Sequence, residues 1–261
     1  MKCKLLIFIG FLYILPLSGQ ADGLLSDPGP LNTHHVGIRI SGAYNPYKFT
    51  YERNTTLVNP EFPSGYRTSS TVNKPTFRAP WSIRGELDYV LTNHIESFIS
   101  AEYSKGSGKA RNISLPPVYT YEPFSNYHSL GVYLGSQYYF DRWSLLNTSA
   151  SAFLGFKAGA LWRDSRKYSV YVLTPLNYTY NNLPFSESAA TPSAGLQAGL
   201  DFLLRQGFSL NLLLELVYSG PIKSNQSIVP PPNPLGLTRI IGGENGPMLS
   251  YPITVGIKKV F

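Results

Sequence analysis

Charged side chains recur at alternate positions inside stretches of the sequence that are otherwise apolar. Within residues 81–91, Arg84, Glu86 and Asp88 alternate with apolar residues or glycine. Since successive residues of a β-strand point to opposite faces, this spacing puts the charges on one face and the apolar residues on the other. Both signs of charge occur on the same face. A buried charge is costly unless it is paired, so the chemistry that this pattern predicts is ion pairing inside a closed structure.

These charges fall at two levels when they are counted from the same end of each predicted strand. The lower level holds Arg39, Glu86, Asp88, Asp201 and Lys258, and the higher level holds Arg84, Glu102, Lys157 and Glu215. Each level mixes acidic and basic residues. We therefore expect two salt-bridged layers across the interior of a barrel or, alternatively, a narrow ion path lined by the same charges.

The histidines, serines and cysteine form no catalytic or metal-binding pattern in the sequence. His128 and Ser129 are adjacent, so on a strand they point to opposite faces and cannot act together as base and nucleophile. His34 and His35 diverge in the same way. Cys3 is the only cysteine, which leaves no pair for a disulfide or a thiolate metal site. We expect neither enzymatic activity nor a bound cofactor or metal.

The elements that would position the charges are strands of alternating polarity. The two-residue period predicts eight of them, at residues 36–44, 81–91, 95–104, 127–140, 149–162, 192–204, 208–219 and, in the closing strand, 248–261. The predicted fold is an all-β, antiparallel, up-and-down transmembrane β-barrel. Residues 167–174 and 176–180 also alternate, so they either extend the flanking strands or raise the number of strands to ten.

The connections between these strands alternate in length. Long polar segments occur at 45–80, 105–126, 163–191 and 220–247, whereas the connections at 92–94, 141–147 and 205–207 are short. Outer-membrane barrels combine long extracellular loops with short periplasmic turns in this way. The pattern therefore places both ends of the barrel on the periplasmic side.

The composition of the two faces separates a membrane barrel from a soluble one. The charged face otherwise carries glycine and serine, too small and too polar to line the oily cavity of a lipocalin-like barrel. The opposite face is aliphatic with aromatic residues near the strand ends, in a chain that contains 19 Tyr and 14 Phe. That arrangement is typical of an apolar exterior with aromatic girdles at both membrane interfaces.

The N-terminal residues predict export. Two lysines precede an apolar run at 5–17 and small residues follow it, which is typical of a signal peptide over residues 1–21. A retained N-terminal anchor is the alternative. Residues 22–35 are expected to form a periplasmic lead and residues 36–261 the barrel.

The closing strand carries the most specific signal. Tyr251, Ile253, Val255 and Ile257 share one face, and Phe261 is the last residue. This strand resembles the closing strand of bacterial outer-membrane barrels, in which alternating apolar residues and a terminal Phe form the export and assembly signal.

The whole mature chain resembles small eight-stranded barrels of the opacity-protein and OmpA-transmembrane-domain type. The resemblance implies an integral outer-membrane protein without enzymatic activity, inserted by the barrel-assembly machinery and often involved in adhesion or envelope integrity. Outer-membrane lipid A deacylases share this architecture but use a His and a Ser two residues apart. His128 and Ser129 lack that spacing.

The long loops are basic and rich in tyrosine. Together they hold seven more basic than acidic residues. Contact candidates are Arg53, Arg67, Arg78, Lys105, Lys109, Arg111, Tyr47, Tyr51 and Tyr121. We expect this surface to neutralise the phosphates of outer-leaflet lipopolysaccharide or to contact an anionic glycan or host protein, since Tyr and Arg are preferred interface residues. No nucleic-acid partner is expected.

Overall fold

The structure is a computed structural model that describes residues 31, 34–45, 48–49, 56–58, 67–68, 79–115, 118–145, 148–174, 178–204, 206–222, 227–228, 239–241 and 248–261. No helix in these segments is long and apolar enough to cross a membrane. The predicted signal peptide and most of the predicted lead lie outside the described residues.

Eight long strands form the barrel wall. They are β1 (Val36–Tyr44), β2 (Trp81–Val90), β3 (Ile95–Gly106), β4 (Tyr127–Tyr139), β5 (Thr148–Arg163), β6 (Ala189–Leu203), β7 (Phe208–Ser219) and β8 (Ile253–Val260). Each pairs antiparallel with its neighbours in the sequence. β8 also pairs with β1, from Gly37↔Val260 to Tyr44↔Ile253, which closes the sheet on itself. The prediction of an eight-stranded barrel is confirmed, and residues 167–174 do not enter its wall.

The two faces of the wall are inverted relative to a soluble barrel. Buried and exposed residues alternate along β1 and β2 without interruption. Most buried positions are polar and most exposed ones apolar: Arg39 is 1% exposed, whereas the adjacent Ile40 is 64% exposed. Leu134 and Leu196 are similarly exposed on the outside. An apolar exterior around a polar interior is the arrangement of a transmembrane barrel.

Glycines on the inner face make room for large neighbours. Gly135 lies opposite Phe98 on β3, and Gly199 lies opposite Phe153 on β5. A Cβ at position 199 would approach the Phe153 ring to 2.5 Å. Side chains of this barrel therefore fill its narrow lumen themselves, as expected for eight strands.

The end of the barrel that carries the short connections, here called the turn end, is closed by apolar side chains. The buried cluster there contains Leu31, Val90, Tyr139, Phe153 and Leu213. Leu31 is fixed by a hydrogen bond from its amide to the carbonyl of Asn93, at 3.1 Å. The opposite end, which carries the long connections, is called the loop end.

In the described part of the chain, eleven further strands lie outside this eight-stranded set. They are Lys48–Phe49, Thr56–Val58, Arg67–Thr68, Ala110–Leu115, Val118–Pro123, Trp143–Leu145, Arg166–Thr174, Tyr178–Ser186, Ser227–Ile228, Arg239–Ile241 and Met248–Ser250. Strands of the second and third long connections form one four-stranded sheet, and strands of the first and fourth form another. Parts of the segments predicted as long loops are therefore paired strands. Pairing between connections satisfies backbone groups that each connection leaves open when it is alone.

The alternating residues of the third connection take neither of the two roles predicted for them. Arg166–Thr174 and Tyr178–Ser186 pair with each other, and the first of them also pairs with Val118–Pro123. They neither extend the barrel wall nor add two strands to it. Short pairing also occurs at the turn predicted for 141–147, where Trp143–Leu145 folds back on the start of β5.

Candidate functional site

The loop-side layer consists of Arg84, Glu102, Lys157 and Glu215, which four different strands bring together. Arg84 donates from Nη1 and Nη2 to the two oxygens of Glu215 at 2.7 and 2.6 Å, and from Nη2 to Glu102 Oε2 at 2.7 Å. Lys157 Nζ lies 3.0 Å from Glu215 Oε2 and 3.7 Å from Glu102 Oε2. Two cations thus face two carboxylates, and the layer is electrically balanced.

The turn-side layer consists of Arg39, Glu86, Asp88, Glu96 and Lys258. Arg39 donates from Nη1 to Glu86 Oε1 at 3.1 Å and from Nη2 to Glu96 Oε1 at 2.8 Å. Lys258 Nζ donates to Glu96 Oε2. Asp88 Oδ2 lies 3.5 Å from Arg39 Nη2 and 3.8 Å from Lys258 Nζ. All five side chains are at most 2% exposed.

The layer differs from the predicted one by two residues: Asp201 is not among its five members, and Glu96 is. Asp201 lies half-buried on β6 and accepts a hydrogen bond from Asn211 Nδ2 at 2.5 Å. Glu96, which was not assigned to either level, is fully buried between both cations of the layer. The sequence indicates this inward position, because Glu96 is an even number of residues from Ser100 and Glu102 on β3 and therefore shares their face.

Two glutamines join the layers. Arg39 Nη2 donates to Gln137 Oε1 at 3.3 Å, and Gln137 Nε2 donates to Gln197 Oε1 at 3.1 Å. Gln197 Nε2 then donates to Glu215 Oε1 at 2.6 Å. The charged interior is therefore one hydrogen-bonded network rather than two separate layers.

A small cavity lies between this network and the loop end. Its volume is about 50 Å³, and the sequence positions that line it include Glu102, Lys157 and five serines: Ser82, Ser104, Ser129, Ser219 and Ser250. A cavity needs about 10–15 Å³ of such volume to hold one water molecule, so a few waters fit here. Below it, the paired side chains fill the lumen down to the apolar cluster of the turn end.

The histidines are dispersed as their spacing predicts. The His128 ring contacts the Tyr103 hydroxyl, whereas Ser129 Oγ lies 2.5 Å from Ser104 Oγ on the buried face. His34 Nδ1 lies 3.3 Å from the Tyr89 hydroxyl. No cluster of three or more His, Cys, Asp or Glu side chains with metal-binding geometry occurs among the residues that the structure describes.

The closing strand places its predicted signal residues on the outside of the wall. Tyr251, Ile253, Val255 and Ile257 are all exposed, as is Phe261. The Phe261 amide donates to the Val36 carbonyl at 3.0 Å, which ties the last residue to the first strand. Its role as an assembly signal stays a prediction.

The contact candidates in the loops are only partly placed. Tyr121 is 40% exposed and its ring centroid lies 5.9 Å from that of Tyr171. Lys109 is exposed and Lys105 is half-buried at the loop end of β3. The backbones of Arg67 and Arg111 lie in strands. Arg53, Arg78, Tyr47 and Tyr51 fall outside the described residues.

Two basic residues counted with the loops do not contribute to the exposed surface. Arg163 is 2% exposed and Arg166 is 1% exposed. The Arg166 guanidinium lies over the Tyr127 ring, 4.4 Å from its centroid. The exposed positive charge of the loop end is therefore smaller than the sequence predicts.

Comparisons with known proteins return structural similarity alone. No protein-family model and no curated protein sequence matches the chain. Similar solved structures include Neisserial surface protein A (13% identity, 87% of this chain and 97% of that chain covered, TM-score 0.41). The attachment invasion locus protein Ail of Yersinia pestis is similar too (13% identity, 88% of this chain and 100% of that chain covered, TM-score 0.34). So is the outer membrane protein OprG of Pseudomonas aeruginosa (10% identity, 88% of this chain and 96% of that chain covered, TM-score 0.47).

Proposed function

We propose that the protein is an integral outer-membrane barrel with a closed lumen, which presents its loop end on the cell surface and performs no catalysis. The observation that carries this proposal is the combination of an apolar exterior with an interior filled by paired charges. Such a wall is unstable in water and stable in lipid. A filled lumen supports a structural or adhesive role more than transport.

The height of the apolar exterior supports membrane insertion. Trp81 and Tyr89 both point outward at opposite ends of β2. Eight residues of strand span about 26 Å, which is about 20 Å along the membrane normal for a strand tilted by about 40°. Aromatic side chains at both ends would lie at the two lipid–water interfaces. The loop end then faces the outside of the cell.

We further propose that the loop-end rim contacts the phosphates of lipopolysaccharide. Trp81 and Tyr103 lie edge to face on the outside of the wall, with ring centroids 6.3 Å apart. Lys105 pairs with Trp81 in the strand register, and the exposed Lys109 follows it. Basic side chains level with an aromatic girdle or beyond it are at the height of the lipid headgroups. Contact with a host protein or another anionic glycan is the alternative use of this surface.

The proposed location in the outer membrane can be tested by fractionation and by gel electrophoresis. The expressed protein should fractionate with outer membranes and migrate faster on a denaturing gel when unheated than after boiling, because the closed barrel resists detergent until it is heated. A periplasmic, soluble protein whose mobility does not change with heating would refute the proposed function.

A further inference from the structure

The turn-side layer contains one more carboxylate than it has cations. Arg39 and Lys258 face Glu86, Asp88 and Glu96, and each of these side chains is at most 2% exposed. The loop-side layer, in contrast, has two of each sign. An uncompensated charge buried in the part of the wall that lies in lipid is costly, so the excess negative charge requires a partner.

The hydrogen bonds identify which carboxylate is in excess. Glu86 accepts from Arg39 through Oε1, and both oxygens of Glu96 accept from cations. The nearest cationic nitrogens to Asp88 are 3.5 and 3.8 Å away, beyond the usual range of about 2.7–3.2 Å for an N–H···O bond. Asp88 is the carboxylate of this layer that accepts no hydrogen bond from a described side chain.

The surroundings of Asp88 provide no further cation in the described interior. Arg39 of β1 and Lys258 of β8 are already bound to glutamates, and Gly37 packs against Asp88 without a side chain. The groups contributed by the other neighbouring strands are acidic or neutral: Glu86 on β2, Glu96 on β3, Tyr139 on β4 and the half-buried Asp201 on β6.

We propose that Asp88 is a proton-binding site and is held inside the barrel as a neutral carboxylic acid. One bound proton makes the turn-side layer electrically neutral, like the loop-side layer. Glu86 lies two residues earlier on the same inward face of β2, and its Oε2 is an acceptor with no other partner among the described residues. This site is independent of what the loop end contacts.

Infrared spectroscopy of the refolded barrel tests the proposal directly. At neutral pH the wild type should show the carbonyl stretch of one protonated carboxylic acid per chain, and Asp88→Asn should remove it. Glu102→Gln is the matched control, because Glu102 accepts hydrogen bonds from Arg84, so this change should leave the band in place. A wild-type spectrum without the band, or a band that persists in Asp88→Asn, would overturn the proposal.

The pH dependence of stability gives a second, independent readout. A neutral Asp88 in the folded barrel is ionised in the unfolded chain above about pH 3.9. The folded state then binds one proton more, so stability falls as the pH rises through the range in which folded Asp88 stays neutral. We expect the wild-type folding constant to fall about tenfold more per pH unit than that of Asp88→Asn. Parallel pH profiles of the two proteins would contradict the proposal. At neutral pH, a loss of stability in Asp88→Asn as large as the loss in Glu102→Gln would contradict it too.

Discussion

Lys157 is the residue through which the closed lumen can be examined most directly. Its ammonium lies between Glu102 and Glu215 and 4.6 Å from the centroid of the Tyr133 ring. The Lys157 side chain is 1% exposed. Its opposite neighbours in the register, Gly135 and Gly195, leave space for the aliphatic part of the side chain. Its charge therefore acts on the two carboxylates with little screening by bulk water.

Replacing Lys157 by Ala should destabilise the refolded barrel strongly. Two carboxylates then share Arg84 alone, and removal of one member of a buried ion pair costs about 3–5 kcal/mol. Chemical denaturation in lipid vesicles would measure the free energy of unfolding. Lys109→Ala, at an exposed loop position, is the control and should change it by less than about 0.5 kcal/mol.

The opposite outcome would indicate a pore. In a water-filled lumen Lys157 would be screened, so Lys157→Ala would leave stability unchanged and would increase the preference for cations. Steady conductance of the wild type in planar bilayers, together with that change in selectivity, would refute the closed lumen.

Most of the charged network could be predicted from residue spacing, and the exceptions have a physical cause. Alternation along a strand places Arg84, Lys157 and Glu215 inside without knowledge of their partners. It does not fix how far a strand continues past the membrane. The spacing therefore assigns Arg163 and Arg166 to the loops, although β5 extends to Arg163 and the next strand begins at Arg166.

At the level of strands, the inner glycines are structural requirements of the wall. Gly135→Ala should destabilise the barrel by about 1–3 kcal/mol, the cost of overpacking. A Cβ at this position would collide with the Phe98 ring and with the backbone oxygen of Phe156, which cannot move independently. Urea unfolding in micelles would measure the change.

Gly85 provides the matched control for this experiment. It lies on the lipid-facing side of β2, and no heavy atom lies within 4 Å of the position of an added Cβ. Gly85→Ala should leave the unfolding midpoint nearly unchanged. Equal losses of stability in the two variants would mean that backbone conformation, and not the filled lumen, accounts for the inner glycines.

The barrel strands were predictable and the loop strands were not, because the two depend on different information. A strand in the wall shows a sustained two-residue period, and its partners are its neighbours in the sequence. Arg239–Ile241 pairs with Thr56–Val58, far away in the sequence, and both strands are too short to show a period. Arg166–Thr174 does alternate, but alternation does not identify its partner strand.

At the level of the whole molecule, the proposed contact predicts that lipopolysaccharide stabilises the barrel through basic residues of the loop end and not of the turn end. Added lipopolysaccharide should raise the melting temperature of the refolded wild type, and Lys105→Ala combined with Lys109→Ala should reduce that rise by at least half. Arg142→Ala, an exposed change at the turn end, should leave the rise intact. A wild type that does not respond to lipopolysaccharide would contradict the proposed contact.

The pairing of the long connections has a consequence for how such a surface diversifies. The first and fourth connections share one small sheet, and the second and third share another. An insertion within one of the paired strands shifts its register against the strand beside it. Surface variants of this protein are therefore expected to change in matched pairs, and grafting a foreign epitope should succeed when both members of a pair are transplanted together.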